Sequence, residues 1–189
     1  MEDLKRLAKI ANREAFRECG HRSTCILTSA ALYHAICELG WGVRPVRLRA
    51  SVYSIDPNNR HGCVLGSDGG GERLPKASKD CWWGHLGVVV HERFLIDATI
   101  DQVAEGHDWA AEIPPFVGEI PDGFLEDGKS LFVPKHGDVN IWYSMFYRQN
   151  GWKGAPDWRN KYHWWFLTQK ILKAYQRSQK VVVSKRAAV

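Results

Sequence analysis

The sequence predicts an α+β domain, and three features of the chain carry this prediction. Two segments with helical periodicity open the chain, several segments with strand-like patterning follow, and another helical segment closes it. Apolar residues that recur every three to four positions indicate a helix, whereas alternating apolar and polar residues indicate a half-buried strand. A run of strands between groups of helices is typical of the α+β class, in which the sheet is mainly antiparallel.

Size and composition are those of one globular domain. The chain has 189 residues, of which 44% are hydrophobic and 25% charged, and this balance excludes a disordered chain. We expect a single domain over residues 1–180 and a basic flexible tail over residues 181–189. The apolar runs fall far short of the ~20 residues that cross a bilayer, and the charged N-terminal segment lacks the apolar centre of a secretory signal. The five cysteines are an odd number without framework spacing, so we predict reduced thiols and a cytoplasmic protein.

The first two predicted elements are helices. Residues 3–18 place Leu and Ala side chains on one face, and a glycine follows the segment, as it often does just past a helix. Ser23 or Thr24 can cap a second helix that runs to about Leu39 and closes at Gly40. This second helix is apolar nearly all round, which indicates that it is buried.

Strand patterning fills the middle of the chain. Residues 43–55 alternate as a half-buried strand does, and residues 84–90 and 94–99 predict two strands around a turn at residues 91–93. Residues 56–80 are rich in Gly, Pro and Asn and predict a long loop.

The remaining segments are less regular. Residues 110–128 are rich in Pro and Gly and are predicted to be irregular, while residues 139–148 predict a further strand. A final helix is predicted from Asp157 to about Gln179. The aromatic residues around this helix predict either a second packing cluster or an apolar groove beside Cys25. The apolar stripe of this helix consists of Trp164, Leu167, Ile171 and Tyr175.

Cys25 is the first candidate for chemistry. It lies in the first turn of the buried second helix, where free N–H groups and the positive end of the helix dipole stabilise a thiolate. A buried helix is also a rigid mount for a nucleophile. The alternative interpretation is that Cys25 is a small core residue, as most buried cysteines are.

His85 and Asp97 are the candidates that would complete a catalytic site. Asp97 lies within an apolar strand, and a buried carboxylate needs a partner. Side chains alternate along a strand, so His85 and Asp97 face the same way only in an even pairing register, in which Asp97 is an even number of positions from the residue paired with His85. A three-residue turn centred on His91 would place them opposite each other, whereas a two-residue turn at Glu92-Arg93 would place them on opposite faces. We predict the even register, or a bulge with the same effect; the alternative is an ordinary core histidine and an aspartate near a turn.

Three stretches of the chain, taken in order, resemble a known family. They are Ser23-Thr24-Cys25 with the helix behind it, Gly84-His85-Leu86-Gly87-Val88-Val89-Val90, and Phe94-Leu95-Ile96-Asp97-Ala98-Thr99. Together they resemble the transglutaminase-like branch of the papain-like cysteine enzymes over residues 20–100. The resemblance implies a core in which a buried helix bearing the cysteine packs on an antiparallel sheet. It also implies a catalytic triad of Cys25, His85 and Asp97.

The chain departs from the family pattern around the triad. Thr24 stands where the family often has Gly, Leu86 stands where an aromatic residue is common, and no Gln lies shortly upstream of the cysteine. The expected donors to an oxyanion are therefore the backbone N–H of Cys25 and the indole of Trp82 or Trp83.

The implied function is that of a cysteine-nucleophile amide hydrolase or acyltransferase. Such a peptidase, amidase or transglutaminase-like enzyme acts on peptide or protein amides through a thioester acyl-enzyme and needs no cofactor. Water as the second acceptor would make it a hydrolase, and an amine would make it an acyltransferase. One alternative is a catalytically inactive module that binds nucleic acid or protein through its basic C-terminal helix. Another is a structural or inhibitory protein that acts by surface contact.

The basic charge of the protein is concentrated at its C-terminal end. From Arg159 to Val189 the chain has eight Lys or Arg and no Asp or Glu. Since the whole chain has a net charge of +5, the part before Arg159 carries −3. Such a basic helix can contact nucleic acid or an acidic partner, and the alternative is a solvated helix face.

The other chemistry-bearing residues do not form recognisable motifs. Cys81 precedes the candidate histidine by four residues and His61 precedes Cys63 by two, and neither is a zinc-binding spacing, so no metal is predicted. The Gly-rich residues 66–71 are not followed by Gly-Lys-Ser/Thr and do not form a phosphate loop. His91 falls in the predicted turn and should be exposed.

Overall fold

The computed structural model describes residues 1–22, 24–56, 58, 61–66, 84–105, 107–110, 113–126, 129–145 and 151–186. Within these ranges the fold is mixed α+β, as the sequence predicts. The helices are α1 (Glu2–Cys19), α2 (Cys25–Glu38), α3 (Pro156–Arg159) and α4 (Lys161–Arg186). The strands are β1 (Val43–Ser54), β2 (Gly62–Leu65), β3 (His85–Val90), β4 (Phe94–Asp97), β5 (Phe116–Glu119), β6 (Ser130–His136) and β7 (Val139–Met145).

The strands form one antiparallel sheet that curls into a nearly closed, barrel-like shape. Its order is β5-β4-β3-β1-β7-β6, and β2 pairs with β1 as well. The two ends of this order meet, because the ring Nε2 of His136 donates to the carbonyl of Pro114 at 2.7 Å. The ring centroid of Phe116 on β5 also lies 5.1 Å from that of Tyr143 on β7. These contacts leave an interior lined by one face of the sheet.

Two apolar cores lie on the two faces of this sheet. The interior core takes Val46, Leu48, Ala50 and Val52 from β1, all buried as the alternation predicts. The outer core is built from α1, α2, α4 and the opposite face of β3 and β4. All six residues of β3 are buried because both of its faces are covered. A side chain at the start of β3 is therefore withdrawn from solvent.

The first helices form where the sequence predicts them. The Leu and Ala stripe of α1 is buried, and α2 is buried along most of its length. Arg47, which alternates with the interior-facing residues of β1, is buried as well because α2 packs across β1 and β3.

Three short strands were not predicted. The segment expected to be a long loop contains β2, the segment expected to be irregular contains β5, and β6 was not expected at all. All three lie at edges of the sheet, and β5 and β6 include Gly118 and Pro134, residues that weaken a strand pattern. Their formation depends on partner strands distant in sequence, which local patterning does not report.

The C-terminal helix differs from the prediction at both ends. It does not start at Asp157, because Asn160 is extended and separates α3 from α4. The Asn160 Oδ1 accepts the backbone N–H of Tyr162 at 3.1 Å, which makes Asn160 the cap of α4. The helix continues past Gln179 to Arg186, so residues 181–186, expected in a flexible tail, are helical. Extending an existing helix costs little compared with starting one.

The aromatic residues near the C-terminus pack against α2. The ring of Trp164 stacks on His34 with centroids 3.6 Å apart, and Trp158 lies 6.1 Å from Tyr33. Tyr33 and His34 lie more than two helical turns beyond Cys25, so these described rings form a packing cluster rather than a wall beside the thiol. Among the described residues, no helix has the length and apolar character to cross a membrane.

Candidate active site

The thiol of Cys25 lies at the junction of α2 and β3. Cys25 is the first residue of α2, is partly buried, and has its Sγ 3.8 Å from the carbonyl oxygen of Gly84, the residue before β3. The helix is held there by Ser29, whose hydroxyl donates to the carbonyl of Leu86 at 2.8 Å. The start of α2 is therefore fixed against the start of β3, which is where His85 lies.

The predicted capping of α2 is only partly confirmed. Thr24 occupies the N-cap position, but its hydroxyl makes no capping hydrogen bond and lies 2.9 Å from the hydroxyl of Thr28. Ser23, the other predicted cap, lies outside the described residues. The Thr24 hydroxyl thus leaves the first-turn N–H groups beside Cys25 available to a negative charge.

His85 and Asp97 form a fully buried pair. The Nε2 of His85 lies 2.6 Å from Oδ2 of Asp97, and both side chains have no solvent exposure. Two further donors hold the carboxylate: the hydroxyl of Tyr143 donates to Oδ2 at 3.0 Å, and the backbone N–H of Thr99 donates to Oδ1 at 3.1 Å. Asp97 is therefore a satisfied buried carboxylate in a fixed orientation.

The hairpin register places the two side chains on the same face, as predicted. The turn of this hairpin has three residues. Its two strands pair in an even register, in which Val88 lies opposite Ile96 and Val90 lies opposite Phe94. The turn is centred on Glu92 rather than on His91, so Asp97 lies diagonally from His85 and not directly across from it. His91 and Glu92 both adopt positive φ, 51° and 54°, which closes the turn.

The electrostatic surroundings favour a protonated His85. Burial by itself lowers the pKa of His85, but the Asp97 carboxylate raises it through charge and hydrogen bonding, and the nearby Cys25 raises it further. The net effect is a pKa above the ordinary value. The pKa of Tyr143 is also raised, by burial and by the charge of Asp97, so Tyr143 remains a hydrogen-bond donor to Asp97.

Gln102 is a site residue that sequence reasoning missed. Its Nε2 lies 2.6 Å from Nδ1 of His85, the ring nitrogen that Asp97 does not hold. Gln102 belongs to a 3₁₀ helix, Ile100–Glu105, that follows β4. The one available sequence signal was a polar residue shortly after Asp97, and it does not reveal that the chain turns back toward the imidazole.

A polar network ties this 3₁₀ helix to the segment before Cys25. The Nδ2 of Asn12 on α1 donates to Oδ1 of Asp101 and to the carbonyl of Ala98, each at 2.9 Å. Arg22 contacts Asp101 with 3.8 Å between Nε and Oδ2, and its backbone N–H donates to Glu105. Burial raises the pKa of Asp101, while Asn12 and Arg22 oppose that rise. The network thus connects the 3₁₀ helix that contains Gln102 to the segment that leads into Cys25.

Gly66, which directly follows β2, lies close to Leu48 and His85. It adopts a left-handed φ of 75°, and a Cβ at this position would meet the carbonyl of Leu48 and lie 3.1 Å from the Cβ of His85. A larger residue would be strained in this conformation, so glycine permits the close approach.

Trp82, Trp83 and Cys81 lie outside the described residues. His91 is exposed in the β3–β4 turn, at the other end of β3 from His85. Burial raises the pKa of Cys63 to about 11, which disfavours a thiolate there. Among the described residues, no group of three His, Cys, Asp or Glu side chains could hold a metal ion.

No protein-family model, curated protein sequence or solved structure matches this chain. The geometry of the site is therefore the basis for interpreting its chemistry. That geometry combines a thiol at a helix start, a buried imidazole beside it, and a carboxylate that orients the imidazole. Such an arrangement suits nucleophilic catalysis by a thiolate.

Proposed function

We propose that this protein is a cysteine-dependent amide hydrolase or acyltransferase with a core of the transglutaminase-like, papain-like type. One observation carries the proposal: a fully buried imidazole is bound to a carboxylate at 2.6 Å on Nε2, directly after Gly84, whose carbonyl oxygen lies 3.8 Å from the Sγ of Cys25. A nucleophile, a base and a group that orients the base are the components of such a triad.

The first half of the proposed reaction forms a thioester. Before substrate binds, the thiol proton of Cys25 already resides on Nδ1 of His85 as a thiolate–imidazolium pair, which the raised pKa of His85 favours, while Nε2 donates to Asp97. The Sγ attacks the carbonyl carbon of a peptide or protein amide, and the C–N bond then breaks. The leaving amine takes the proton from His85, and the acyl group remains on Cys25 as a thioester.

The second half releases the acyl group. Water gives a carboxylic acid and an amine gives a new amide, and in both cases His85 removes the proton of the attacking group and returns it to Cys25. The backbone N–H of Cys25, at the start of α2, is the proposed donor to the oxyanion. The indole of Trp82 or Trp83 is a second proposed donor.

Gln102 gives this site a feature of its own. An amide carries both a donor and an acceptor, so Gln102 can accept a hydrogen bond from a protonated Nδ1 or donate one to a neutral Nδ1 by exchanging its two ends. In the proposed reaction, Gln102 is hydrogen-bonded to Nδ1 of His85 between proton transfers. During a transfer this hydrogen bond breaks, and Nδ1 then interacts with Cys25.

The cellular setting proposed is the cytoplasm. The described cysteines Cys19, Cys25, Cys37 and Cys63 are not paired in disulfides, and a thiolate enzyme needs its nucleophile reduced.

Competitive alkylation tests the proposal. The full chain is treated with iodoacetamide at pH 6 and pH 7, and the labelling rate of each cysteine is measured by peptide mass spectrometry. Cys37 is a matched internal control, because it lies on the same helix and is exposed. We expect Cys25 to react at least tenfold faster than Cys37 although it is less exposed. Equal rates, or a faster Cys37, would exclude an activated nucleophile.

A second measurement separates the two reaction types. Peptide amides with a fluorogenic leaving group are offered with and without a primary amine, and products are identified by mass. Free acid indicates a hydrolase and an amine adduct indicates an acyltransferase, and Cys25→Ala should abolish both. Turnover that survives this substitution would contradict the proposal.

A further inference from the structure

A basic groove runs between α1 and α4, in the part of the helical layer that the proposed reaction does not use. It encloses about 360 Å³ and is lined by Arg13, Arg17, Lys170, Lys173 and Arg177 around a single carboxylate, Glu14. The cations of α4 lie at spacings of three and four residues, which places them on one face of the helix.

The acidic residues of the region are already engaged. Glu14 is 12% exposed and lies between Arg13 at 2.8 Å and Arg17 at 3.1 Å. Glu18 is paired with Lys170 at 2.5 Å. Lys173 and Arg177 have no acidic partner among the described residues, and both are exposed to solvent. The groove therefore carries excess positive charge that a bound anion could neutralise.

Two exposed aromatic rings lie on the same face of α4 as the cations of the groove, because Tyr162, Phe166 and Lys170 are spaced by four residues. The ammonium of Lys170 lies 4.3 Å above the ring of Phe166, which is 49% exposed. Tyr162 is exposed as well. Cations bind phosphates, while exposed rings provide faces on which bases stack. An acidic peptide would use the cations but would gain little from the rings.

From this combination we propose that the α1–α4 groove binds single-stranded nucleic acid. The phosphates lie along Lys173, Arg177 and the cations of α1, and a base stacks on Phe166. Guanidinium groups suit this role because they bind phosphate oxygens in a bidentate manner. The site is independent of Cys25, which belongs to α2 and faces the sheet.

Fluorescence anisotropy with labelled 20-nucleotide single strands of dT and rU tests the proposal. We expect the full chain to bind with an affinity that falls steeply as salt rises. The double variant Lys173→Glu/Arg177→Glu should bind at least tenfold more weakly, and its slope in log Kd against log salt should fall by about 0.7 for each cation removed. The matched control is Lys129→Glu/Lys135→Glu, an equal charge change at exposed positions of the β6 region, which should bind within twofold of the unmodified protein.

Further variants separate the parts of the proposal. Phe166→Leu keeps an apolar side chain but removes the ring, and it should weaken oligonucleotide binding at least threefold with an unchanged salt slope. Cys25→Ala should bind normally, so loss of the proposed enzymatic activity and loss of nucleic-acid binding are distinguishable. Circular dichroism melts confirm that each variant is folded.

Three outcomes would overturn the proposal. One is equal binding by the groove variant and its control. Another is displacement of the oligonucleotide by poly-glutamate at equal charge concentration, which would assign the groove to acidic proteins. The third is equal affinity for a duplex of the same length together with no effect of Phe166→Leu, which would remove the single-strand assignment.

Discussion

At the scale of single residues, the site is organised around one imidazole with two different neighbours. Asp97 holds Nε2 of His85 and Gln102 holds Nδ1, so both ring nitrogens are occupied within a fully buried setting. A histidine bound on both sides cannot rotate freely. Its orientation toward Cys25 is thus fixed by the fold, and the proposed catalysis would need this kind of preorganisation.

Removing the charge of Asp97 should change how stability depends on pH. The folded protein raises the pKa of His85 above its unfolded value near 6.5. The stabilisation from protonated His85 is therefore fully present below about pH 6.5 and is lost as the pH rises through the folded pKa. In the Asp97→Asn variant, stability should no longer fall as the pH rises through that pKa. Its free energy of unfolding at pH 6 should be lower than that of the unmodified protein by about 3 kcal/mol.

Urea unfolding at pH 6 and pH 9 measures both effects. The control is Asp122→Asn, an exposed position, which should change neither the stability nor its pH dependence. If Asp97→Asn keeps the pH dependence of the unmodified protein, Asp97 is not the group that keeps His85 protonated.

Gln102 should act on the reactivity of Cys25 rather than on stability alone. Gln102→Leu removes the competitor for Nδ1 at nearly constant size, so iodoacetamide should label Cys25 at pH 7 faster than in the unmodified protein. Gln102→Glu places a carboxylate at Nδ1 and beside the thiolate, so labelling of Cys25 at pH 7 should slow by about tenfold. Peptide mass spectrometry measures both rates relative to Cys37. A merely structural Gln102 would leave the ratio of the Cys25 and Cys37 rates unchanged in both variants.

At the scale of elements, α1 supports the candidate site without contributing a residue to the proposed triad. Asn12 links α1 to the chain after β4 through Ala98 and Asp101, and Arg22 links the same 3₁₀ helix to the segment before Cys25. These links connect the 3₁₀ helix that contains Gln102 to the segment that leads into Cys25. A change in α1 can therefore alter the site from a distance.

Asn12→Ala should destabilise the protein and misplace Gln102. It leaves the carbonyl of Ala98 without this donor and removes a hydrogen bond from the buried carboxylate of Asp101, which together should cost about 2 kcal/mol. The free energy of unfolding in urea measures the cost. Lys9→Ala, at an exposed position on the same helix, is the control and should stay within about 0.5 kcal/mol. An Asn12→Ala protein as stable as this control would show that the network contributes no net stability.

At the scale of the whole molecule, the two proposed activities use different layers. The candidate active site lies where α2 meets the sheet, with His85, Asp97 and Tyr143 buried beside the interior core. The basic groove lies between α1 and α4, whose apolar faces belong to the outer core. A reaction at one layer and binding at the other can therefore proceed together on one chain.

Local sequence patterns were enough to predict the α+β class and the side chains that meet at the junction of α2 and β3. The extents of α1, α2, β1 and β3 follow from periodicity, which is a local property of the chain. The even register predicted for the β3–β4 hairpin is confirmed, but the turn is centred on Glu92 rather than on His91, a difference that side-chain alternation does not report.

The distant residues that complete the site and the sheet are brought in by the packing of separate elements. Tyr143 reaches Asp97 across 46 positions of sequence, and Gln102 returns to His85 through a 3₁₀ helix that has no strong sequence signal. The edge strands β2, β5 and β6 form because partner strands offer free hydrogen-bonding groups, not because their own residues alternate. Periodicity describes the neighbours of a residue along the chain, whereas these contacts depend on how separate elements pack.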